Sequence, residues 1–430
     1  MLLTDKLLLY RNLENGNILY DMAGIINDIE NGKYEKDELA KQLFICVNEI
    51  ISLSVSHGYE GNLWHTYLTY LLANNENAYS TGCEIRGEIS GGINEPALND
   101  FMIFKELFEY DLLKIDKELD VNCIQMIIDF KRYDTFGHTF NTRIRDRICE
   151  LSIKLCKAAN VTEFKKIITE FYKDFGVGKY GLHKAFRIAE GKIVPIKNIP
   201  HVSLDDLVGY EIPKQKLIDN TEAFVQGKKA NNCLLYGDAG TGKSSSIKAI
   251  LNQYYPRGLR MIEVYKHQFR DLSDVIGQIK NRNYKFIIYM DDLSFEEFEI
   301  EYKYLKAIIE GGLEKKPDNV LIYATSNRRH LVREKFSDKE ERKDDLHASD
   351  TVQEKLSLVS RFGVQIYFGA PEKKEFQNIV IELAKRNNLD ISNEELLLEA
   401  NKWEIGHGGL SGRTAKQFID YLDFKLNNNK

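Results

Sequence analysis

The stretch Cys233-Leu-Leu-Tyr-Gly-Asp-Ala-Gly-Thr-Gly-Lys-Ser244 decides the fold of this chain of 430 residues. It contains the pattern Gly-x-x-x-x-Gly-Lys-Ser, follows a short apolar run (232–236) and precedes a segment with helical spacing. The glycines let the backbone curl so that its N–H groups point at phosphate oxygens, and the positive end of the next helix adds to the attraction. The sequence therefore predicts a strand, a phosphate-binding loop and a helix, in that order.

The residues of this loop are expected to hold a nucleoside triphosphate together with its metal ion. Lys243 should reach the β- and γ-phosphates, and the Ser244 hydroxyl should bind Mg²⁺. A chance glycine-rich turn is the alternative, and the further motifs of the chain argue against it. The predicted nucleotide contacts are Gly237, Asp238, Ala239, Gly240, Thr241, Gly242, Lys243, Ser244 and Ser245.

The length and composition of the chain indicate a globular protein of two or three domains. Hydrophobic residues make up 43% of the chain and charged residues 29%, with a net charge of −6. Acids and bases are mixed along the chain, which argues against a protein covered with nucleic acid but leaves a local basic groove open. No signal peptide and no run of about 18 apolar residues is visible, so we expect a cytoplasmic protein without a membrane partner.

The cysteines show no spacing typical of a metal site or of a disulfide framework. Buried, reduced thiols in a reducing compartment are therefore the expected state. The six residues are Cys46, Cys83, Cys123, Cys149, Cys156 and Cys233.

Residues 1–175 are predicted to form a mainly helical N-terminal domain, because apolar residues such as Leu39, Leu43 and Val47 recur at helical spacing. The polar stretch 74–94 is either a long loop or an internal boundary. We interpret the many aromatic residues of this region as core rather than as a base-stacking surface. The sequence does not assign this domain a role, although its size suits partner binding or assembly.

The character of the chain changes after residue 175. We interpret residues 176–203 as a connector, because a glycine-rich turn and two prolines favour extended backbone there. Residues 204–370 alternate strands with helices, which predicts an α/β nucleotide-binding subdomain with a parallel sheet. Residues 371–430 are purely helical in pattern and form a third part, a small helical subdomain. The later strands are expected at 259–264, 286–292, 320–327 and 364–368.

Two adjacent acids, Asp291 and Asp292, follow the apolar run that ends the third expected strand. The first is expected to hold Mg²⁺ directly or through water. The second can orient or deprotonate the attacking water. Because ligands bind at the carboxyl ends of the strands in such sheets, both acids should lie beside the phosphate-binding loop.

Three further side chains are candidates for catalysis. Asn327 follows the next strand, where a neutral amide could hold the attacking water; an asparagine of a strand-end turn is an equally good interpretation. Arg361 and Arg413 could stabilise the charge of the transferring phosphoryl group. For a lone arginine, a surface ion pair is the alternative that spacing alone favours.

From Leu204 to Leu426 the chain resembles an AAA+ ATPase module. The resemblance implies ATP and Mg²⁺ as ligands, a P-loop parallel sheet with a C-terminal helical lid, Arg361 acting on the ATP of a neighbouring subunit, and adenine contacts near Leu207, Val208 and Gly209. The motifs that carry it are an adenine-side box at 204–210, Walker A at 237–244, Walker B at 291–292, sensor 1 at Asn327, the arginine-finger box at 360–362 and sensor 2 at 409–415.

The amino-acid sequence of several segments is similar, more specifically, to that of the bacterial DUF815 family of predicted ATPases. That family brings no assigned function with it. The similar segments are Asp-Asp-Leu-Ser-Phe-Glu at 291–296, Gly-Gly-Leu-Glu at 311–314, the run at 319–331, Glu-Lys-Leu-Ser-Leu at 354–358 and Arg-Phe-Gly at 361–363.

The second Walker B acid departs from the Asp-Glu pair of many AAA+ members, because this chain has Asp292 there. Similar Asp-Asp pairs occur in the replication-initiator and helicase-loader branch. The shorter side chain places its carboxylate about one methylene further from the water. Hydrolysis is therefore expected to be slow, or Glu296 or Glu297 assists.

Two functions from different classes remain open. One is a Mg²⁺-dependent ATP hydrolase that assembles as a homo-oligomer, for which a ring is possible, and remodels an unknown protein or nucleic-acid client. The other is an ATP-gated loader or adaptor with little turnover. A DNA link rests on Asp292 and on the cluster 328–330, which could instead face the nucleotide or a neighbouring subunit. The charged segment 333–355 is either a solvated loop or a client-contacting pore loop.

Overall fold

The computed structural model describes residues 2–84, 86–131, 142–197, 199–296, 299–310, 316–328, 331 and 358–428. The chain divides into two compact units, Met1–His183 and Lys184–Lys430. Some predicted features lie outside the described residues. These are Glu297, Arg329, His330, the charged segment 333–355, the DUF815-like segment 311–314 and most of the DUF815-like segment 354–358.

The first unit is mainly helical, as the spacing of its apolar residues predicts. Its core is built largely from the inward faces of these helices. Their bounds are α1 Asn17–Asn31, α2 Lys36–His57, α3 Leu63–Asn74, α4 Ala78–Cys83, α5 Asn94–Glu109, α6 Leu113–Leu119, α7 Ile124–Ile128, α8 Thr142–Cys156, α9 Val161–Phe175 and α10 Gly178–Leu182.

The polar stretch 74–94 is neither one long loop nor a boundary, because α4 lies inside it. The Asn77 side chain caps this helix by accepting hydrogen bonds from the N–H groups of Tyr79 and Ser80. Residues on both sides of the stretch belong to one hydrophobic core. A single capped turn and a half of helix gives too little apolar periodicity to be recognised among Asn, Ser and Gly residues.

The aromatic residues of the first unit lie in its core, in agreement with their helical spacing. Trp64, Phe101 and Phe164 have no exposed surface. The Trp64 indole N–H donates to the carbonyl of Leu107 at 3.0 Å, which satisfies its polar group inside the core. By length and composition α2 could cross a membrane, and a third of its most apolar stretch is buried.

The second unit is built on a seven-stranded sheet in the order β2-β1-β4-β5-β6-β3-β7. All neighbouring pairs are parallel except β1 and β2, which are antiparallel. The strands are β1 Ala185–Ala189, β2 Lys192–Pro195, β3 Cys233–Gly237, β4 Leu259–Glu263, β5 Lys285–Met290, β6 Val320–Ser326 and β7 Val364–Phe368. The helices are α11 Glu211–Val225, α12 Lys243–Tyr254, α13 Leu272–Ile279, α14 Glu301–Glu310, α15 Lys373–Arg386, α16 Asn393–Gly406 and α17 Gly412–Asn428.

The predicted fold class is confirmed: a parallel P-loop sheet with a helical subdomain after it and a mainly helical unit before it. The five predicted strands agree with β3–β7 to within about two residues at each end. They were predictable because central parallel strands are buried on both faces and read as continuous apolar runs. All seven residues of β6, for example, are buried.

Residues 185–195, which the sequence analysis places in a connector, form β1 and β2 instead. Phe186 pairs with Ile262 of β4, so the hairpin extends the sheet beyond the five predicted strands. Phe186, Ile188 and Ile193 are buried. This alternation was present in the sequence, but its partner strand lies some 70 residues further on and gives no local signal.

Helices α15–α17 form the C-terminal helical subdomain, called the lid below. It has its own hydrophobic core, which includes Phe376, Val380, Leu396 and Phe418. Of the six cysteines, Cys46, Cys83, Cys123 and Cys233 are buried as predicted, whereas Cys149 is half-buried and Cys156 is exposed. All six are free thiols.

Candidate functional site

The phosphate-binding loop connects the end of β3 to the start of α12, as the motif requires. Gly237 has a φ of +134°, and a Cβ at this position would lie 2.1 Å from the carbonyl oxygen of Phe368. Gly242, just before α12, has a φ of +92°. The two glycines therefore serve different needs, close approach to β7 and a left-handed turn into the helix.

Lys243 is held inside the loop. Its side chain is 6% exposed, and its Nζ donates to the carbonyl oxygens of Gly237 at 2.9 Å and Asp238 at 2.6 Å. Burial lowers the pKa of Lys243 below its ordinary value, although the carboxylates of Asp238 and Asp292 oppose this shift. A bound phosphate would therefore compete with these two carbonyl oxygens for the ammonium group.

The two predicted metal ligands lie next to each other. The Ser244 Oγ donates to Asp291 Oδ1 at 2.7 Å. Thr325 Oγ1 donates to the same oxygen at 2.6 Å. Burial acts to raise the pKa of Asp291, but these hydrogen bonds outweigh it and lower the pKa below its ordinary value. A hydroxyl beside an ionised carboxylate is a donor set that fits Mg²⁺.

Asp292 lies beside Asn327, as the parallel strands β5 and β6 predict. Asn327 Nδ2 donates to Asp292 Oδ1 at 2.8 Å. The N–H of Asp292 donates to Thr325 Oγ1 at 2.9 Å, and its φ of +49° is left-handed. Such a conformation is uncommon for a residue other than glycine and is held here by its neighbours. The second acid therefore has a fixed side-chain direction.

These groups line one cleft of about 860 Å³ at the carboxyl ends of the strands. Arg413 of the lid lines the cleft with them, and so do Leu207 and Val208, two of the three residues expected near adenine. The loop and α12 contribute Ala239, Gly240, Thr241, Gly242, Lys243, Ser244 and Ser245, and the strand ends contribute Asp291, Asp292, Thr325 and Asn327.

Arg361 is missing from the described residues that line this cleft, and so are Gly209 and Glu296. Arg361 precedes β7, whose first residue pairs with the first residue of β3. It therefore lies towards the amino edge of the sheet, opposite to the cleft. Glu296 forms an ion pair of 3.9 Å with Arg328.

The lid contacts the loop directly. The N–H of Arg413, at the start of α17, donates to the carbonyl oxygen of Gly240 at 3.1 Å. A Cβ on Gly240 would lie 3.0 Å from Ser411 Oγ and 3.1 Å from Arg413 Cβ. The small size of Gly240 therefore allows α17 to begin on the loop.

Thr325 is a site residue that the motifs did not single out, although it binds both Walker B acids. Its signal in the sequence is a hydroxyl at the end of the strand that follows the acids along the chain. His201 and Arg386 also line the cleft without any motif that marks them.

Comparisons with known proteins place the second unit in a family. A family model described as Protein of unknown function (DUF815) matches residues 182–426, which is more than half of the chain. The replication factor C large subunit of Staphylothermus marinus is 35% identical over 71 residues. That match spans 16% of this chain and only 16% of the curated relative.

Solved structures with a similar arrangement include RuvB of Thermotoga maritima, titled a Holliday junction branch migration motor. It is 17% identical and has a TM-score of 0.36, with 51% of this chain and 63% of that chain covered. A mutant of RuvB gives 17% identity and a TM-score of 0.38 over 53% of this chain and 66% of that one.

Proposed function

Because the chain belongs to the DUF815 family over residues 182–426, we propose that it is an AAA+ type protein that binds ATP and hydrolyses it with Mg²⁺. One observation carries the proposal. Ser244 and Asp291, 47 residues apart in sequence, meet at 2.7 Å in the cleft that also holds Lys243. Phosphate-binding and metal-binding groups converge in this way in proteins that act on nucleoside triphosphates.

The residues of the cleft divide into three roles. Lys243 and the loop N–H groups bind the phosphates, and Ser244 and Asp291 would hold Mg²⁺, which would neutralise phosphate charge when bound. Asp292, fixed by Asn327, orients water and takes its proton as oxygen attacks the γ-phosphorus and the bond to ADP breaks. Arg413 stabilises the negative charge from the lid side.

We infer a homo-oligomer because Arg361 lies away from the cleft of its own chain. A second copy that docks its amino edge on the cleft would bring Arg361 to the γ-phosphate, in the manner that its arginine-finger motif implies. A ring is one closed arrangement of such a head-to-tail contact. The client that such an assembly remodels is an unknown protein or nucleic acid, and we place the protein in the cytoplasm, with no membrane partner.

The second candidate function is an ATP-gated loader or adaptor with little turnover, for which DNA is one candidate client. The observation that favours it is the bond from Asn327 Nδ2 to Asp292 Oδ1, because this bond occupies a carboxylate oxygen that the attacking water would otherwise contact. Glu296 does not line the cleft, and Glu297 lies outside the described residues. Asp292 is therefore the proposed base, and its short side chain limits the rate.

The test is the substitution Lys243→Ala, compared with Lys216→Ala, which removes an exposed lysine of α11. We expect Lys243→Ala to abolish the heat of MgATP binding in calorimetry and to abolish turnover. Lys216→Ala should match the unchanged chain in both measurements. Unchanged hydrolysis by pure Lys243→Ala protein contradicts the assignment, whereas tight MgATP binding with negligible turnover, with and without DNA, favours the loader.

A further inference from the structure

Asp238 ties the phosphate-binding loop to the segment that leads into the lid. Its Oδ2 accepts a hydrogen bond from the N–H of Ala370 at 2.7 Å. Its own N–H donates to the carbonyl oxygen of Phe368 at 3.0 Å. Residues 369–372, which we call the hinge, connect β7 to the first lid helix α15. Asp238 thus forms hydrogen bonds both to Phe368, the last residue of β7, and to Ala370 of the hinge.

A second residue holds the hinge from outside the loop. The Tyr210 hydroxyl donates to the carbonyl oxygen of Gly369 at 3.0 Å, and its ring packs on Phe368 with centroids 5.4 Å apart. Tyr210 precedes α11 and does not belong to the phosphate-binding loop. It therefore provides a fixed support for the hinge, whereas Asp238 provides a support that depends on the conformation of the loop.

Binding of a phosphate by Lys243 would act on this same residue. Lys243 Nζ donates to the carbonyl oxygen of Asp238 at 2.6 Å. When the ammonium group turns to a phosphate oxygen, this bond is released. The side chain of the same residue accepts the hydrogen bond from Ala370. Phosphate binding is thereby connected to the hinge through three consecutive hydrogen-bonded groups.

The other end of the loop meets the lid as well. Gly240 accepts a hydrogen bond from the N–H of Arg413 at 3.1 Å, at the start of α17. The lid is therefore attached to the loop at two points, the hinge through Asp238 and α17 through Gly240. A rotation about the hinge would change the position of Arg413 relative to the phosphates.

We propose that Asp238 is a positioning residue that couples phosphate binding to the orientation of the lid and so places Arg413 over the phosphates. This inference rests on the proposed function, because it needs a triphosphate in the loop. Asp238 does not touch the reacting atoms. Its carboxylate acts through Ala370, as an acceptor that alanine lacks and asparagine keeps.

The test compares Asp238→Ala and Asp238→Asn in the full chain by hydrogen exchange with and without MgATP. In the unchanged chain, MgATP should slow exchange in the loop (237–245) and in the lid helices. In Asp238→Ala we expect the loop to keep this slowing and the lid response to fall at least about threefold. Asp238→Asn should restore the lid response, because its amide oxygen accepts the bond from Ala370.

Steady-state kinetics gives a second readout that a merely structural role would not move. Misplacement of Arg413 should lower kcat about tenfold in Asp238→Ala, with KM changed less than about threefold. The matched control is Asp274→Ala, which removes an exposed acid of α13 and should leave the kinetics and the exchange pattern unchanged.

Two results would overturn this inference without contradicting the proposed function. One is a full lid response to MgATP in Asp238→Ala, and the other is an equal loss of the lid response in Asp238→Ala and Asp238→Asn. The second result would assign the effect to charge rather than to the hydrogen bond. If MgATP fails to slow exchange in the loop of the unchanged chain, the proposed function is contradicted and the inference is contradicted with it.

Discussion

Thr325 of β6 and Asp291, which follows the neighbouring strand β5, are joined by a hydrogen bond of 2.6 Å between Oγ1 and Oδ1. The same Oγ1 accepts the N–H of Asp292 at 2.9 Å. One hydroxyl thus fixes the side chain of the first acid and the backbone of the second. It can do so because a hydroxyl donates one hydrogen bond and accepts others.

Replacement of Thr325 by valine should weaken the metal site while the packing of β6 is kept. A hydrogen bond to a charged group contributes about 1.5–3 kcal/mol when buried, and less at a site that is partly open to solvent. We therefore expect Thr325→Val to raise the Mg²⁺ concentration for half-maximal turnover about tenfold. Thr325→Ser keeps the hydroxyl and should stay close to the unchanged chain. An equal Mg²⁺ requirement in Thr325→Val would show that the bond does not orient Asp291.

Gly237→Ala should abolish nucleotide binding, because the added Cβ would meet the carbonyl of Phe368 at 2.1 Å. The control is Gly258→Ala, whose φ of +90° imposes a similar backbone strain but whose Cβ would meet no atom within 4 Å. We expect Gly258→Ala to cost about 1 kcal/mol of stability and to leave MgATP binding intact. Calorimetry with MgATP separates the two. Binding by Gly237→Ala would mean that the loop can move away from β7.

Tyr323→Phe should lower the free energy of unfolding of the second unit, because it removes a buried hydroxyl. The Tyr323 ring has no exposed surface, and its hydroxyl is bonded to Asn220 Nδ2 at 3.0 Å and to Thr221 Oγ1 at 2.9 Å. Loss of the hydroxyl leaves each of these two groups of α11 without one hydrogen-bond partner. This should lower the free energy of unfolding by about 1–2 kcal/mol. The measurement is the thermal unfolding midpoint, with Tyr304→Phe on the exposed side of α14 as the control. Equal midpoints for the two variants would contradict this role.

The pH dependence of stability should carry a contribution from Lys316. Burial lowers the pKa of Lys316 to about 8, and its Nζ is hydrogen-bonded to the side chain of Asn232. The folded state therefore loses this proton near pH 8, whereas the unfolded chain keeps it until about pH 10.4. Between these values the unfolded state binds more protons, so the cost of burying the charged lysine is relieved and the stability of the fold rises as the pH rises.

The variant Lys316→Gln removes this contribution without leaving a buried charge. The difference in unfolding midpoint between the unchanged chain and Lys316→Gln should shift in favour of the unchanged chain from pH 8 to pH 10. The slope has an upper limit of about 1.4 kcal/mol per pH unit. Taking the difference cancels the titration of the cysteines and tyrosines that both proteins share. A constant difference over this range would mean that Lys316 stays charged in the fold.

The sequence predicted the parts of the fold whose signals are local. The strands β3–β7 are apolar on both faces, and the phosphate-binding loop has a fixed pattern, so their positions followed from the residues alone. The meeting of Ser244 with Asp291 also followed, because both lie at the carboxyl ends of parallel strands. The roles of Asp292, Asn327, Arg361 and Arg413 stay predictions.

The parts that could not be predicted depend on partners far away in the chain. The hairpin β1–β2 becomes recognisable only when β4 is known to lie beside it. The bond from Asp238 to Ala370 joins residues 132 positions apart, and no pattern links them. The short helix α4 was missed for a different reason, since its six residues span less than two turns.

The pairing of Phe186 with Ile262 has a practical consequence for the choice of shorter fragments for expression. A fragment that starts at Leu204 would contain every nucleotide-site motif but would leave one side of β4 without its neighbouring strand. Bare strand edges invite intermolecular pairing, so such a fragment should precipitate on expression. A fragment that starts at Lys184 keeps the hairpin and should remain monodisperse at the same concentration.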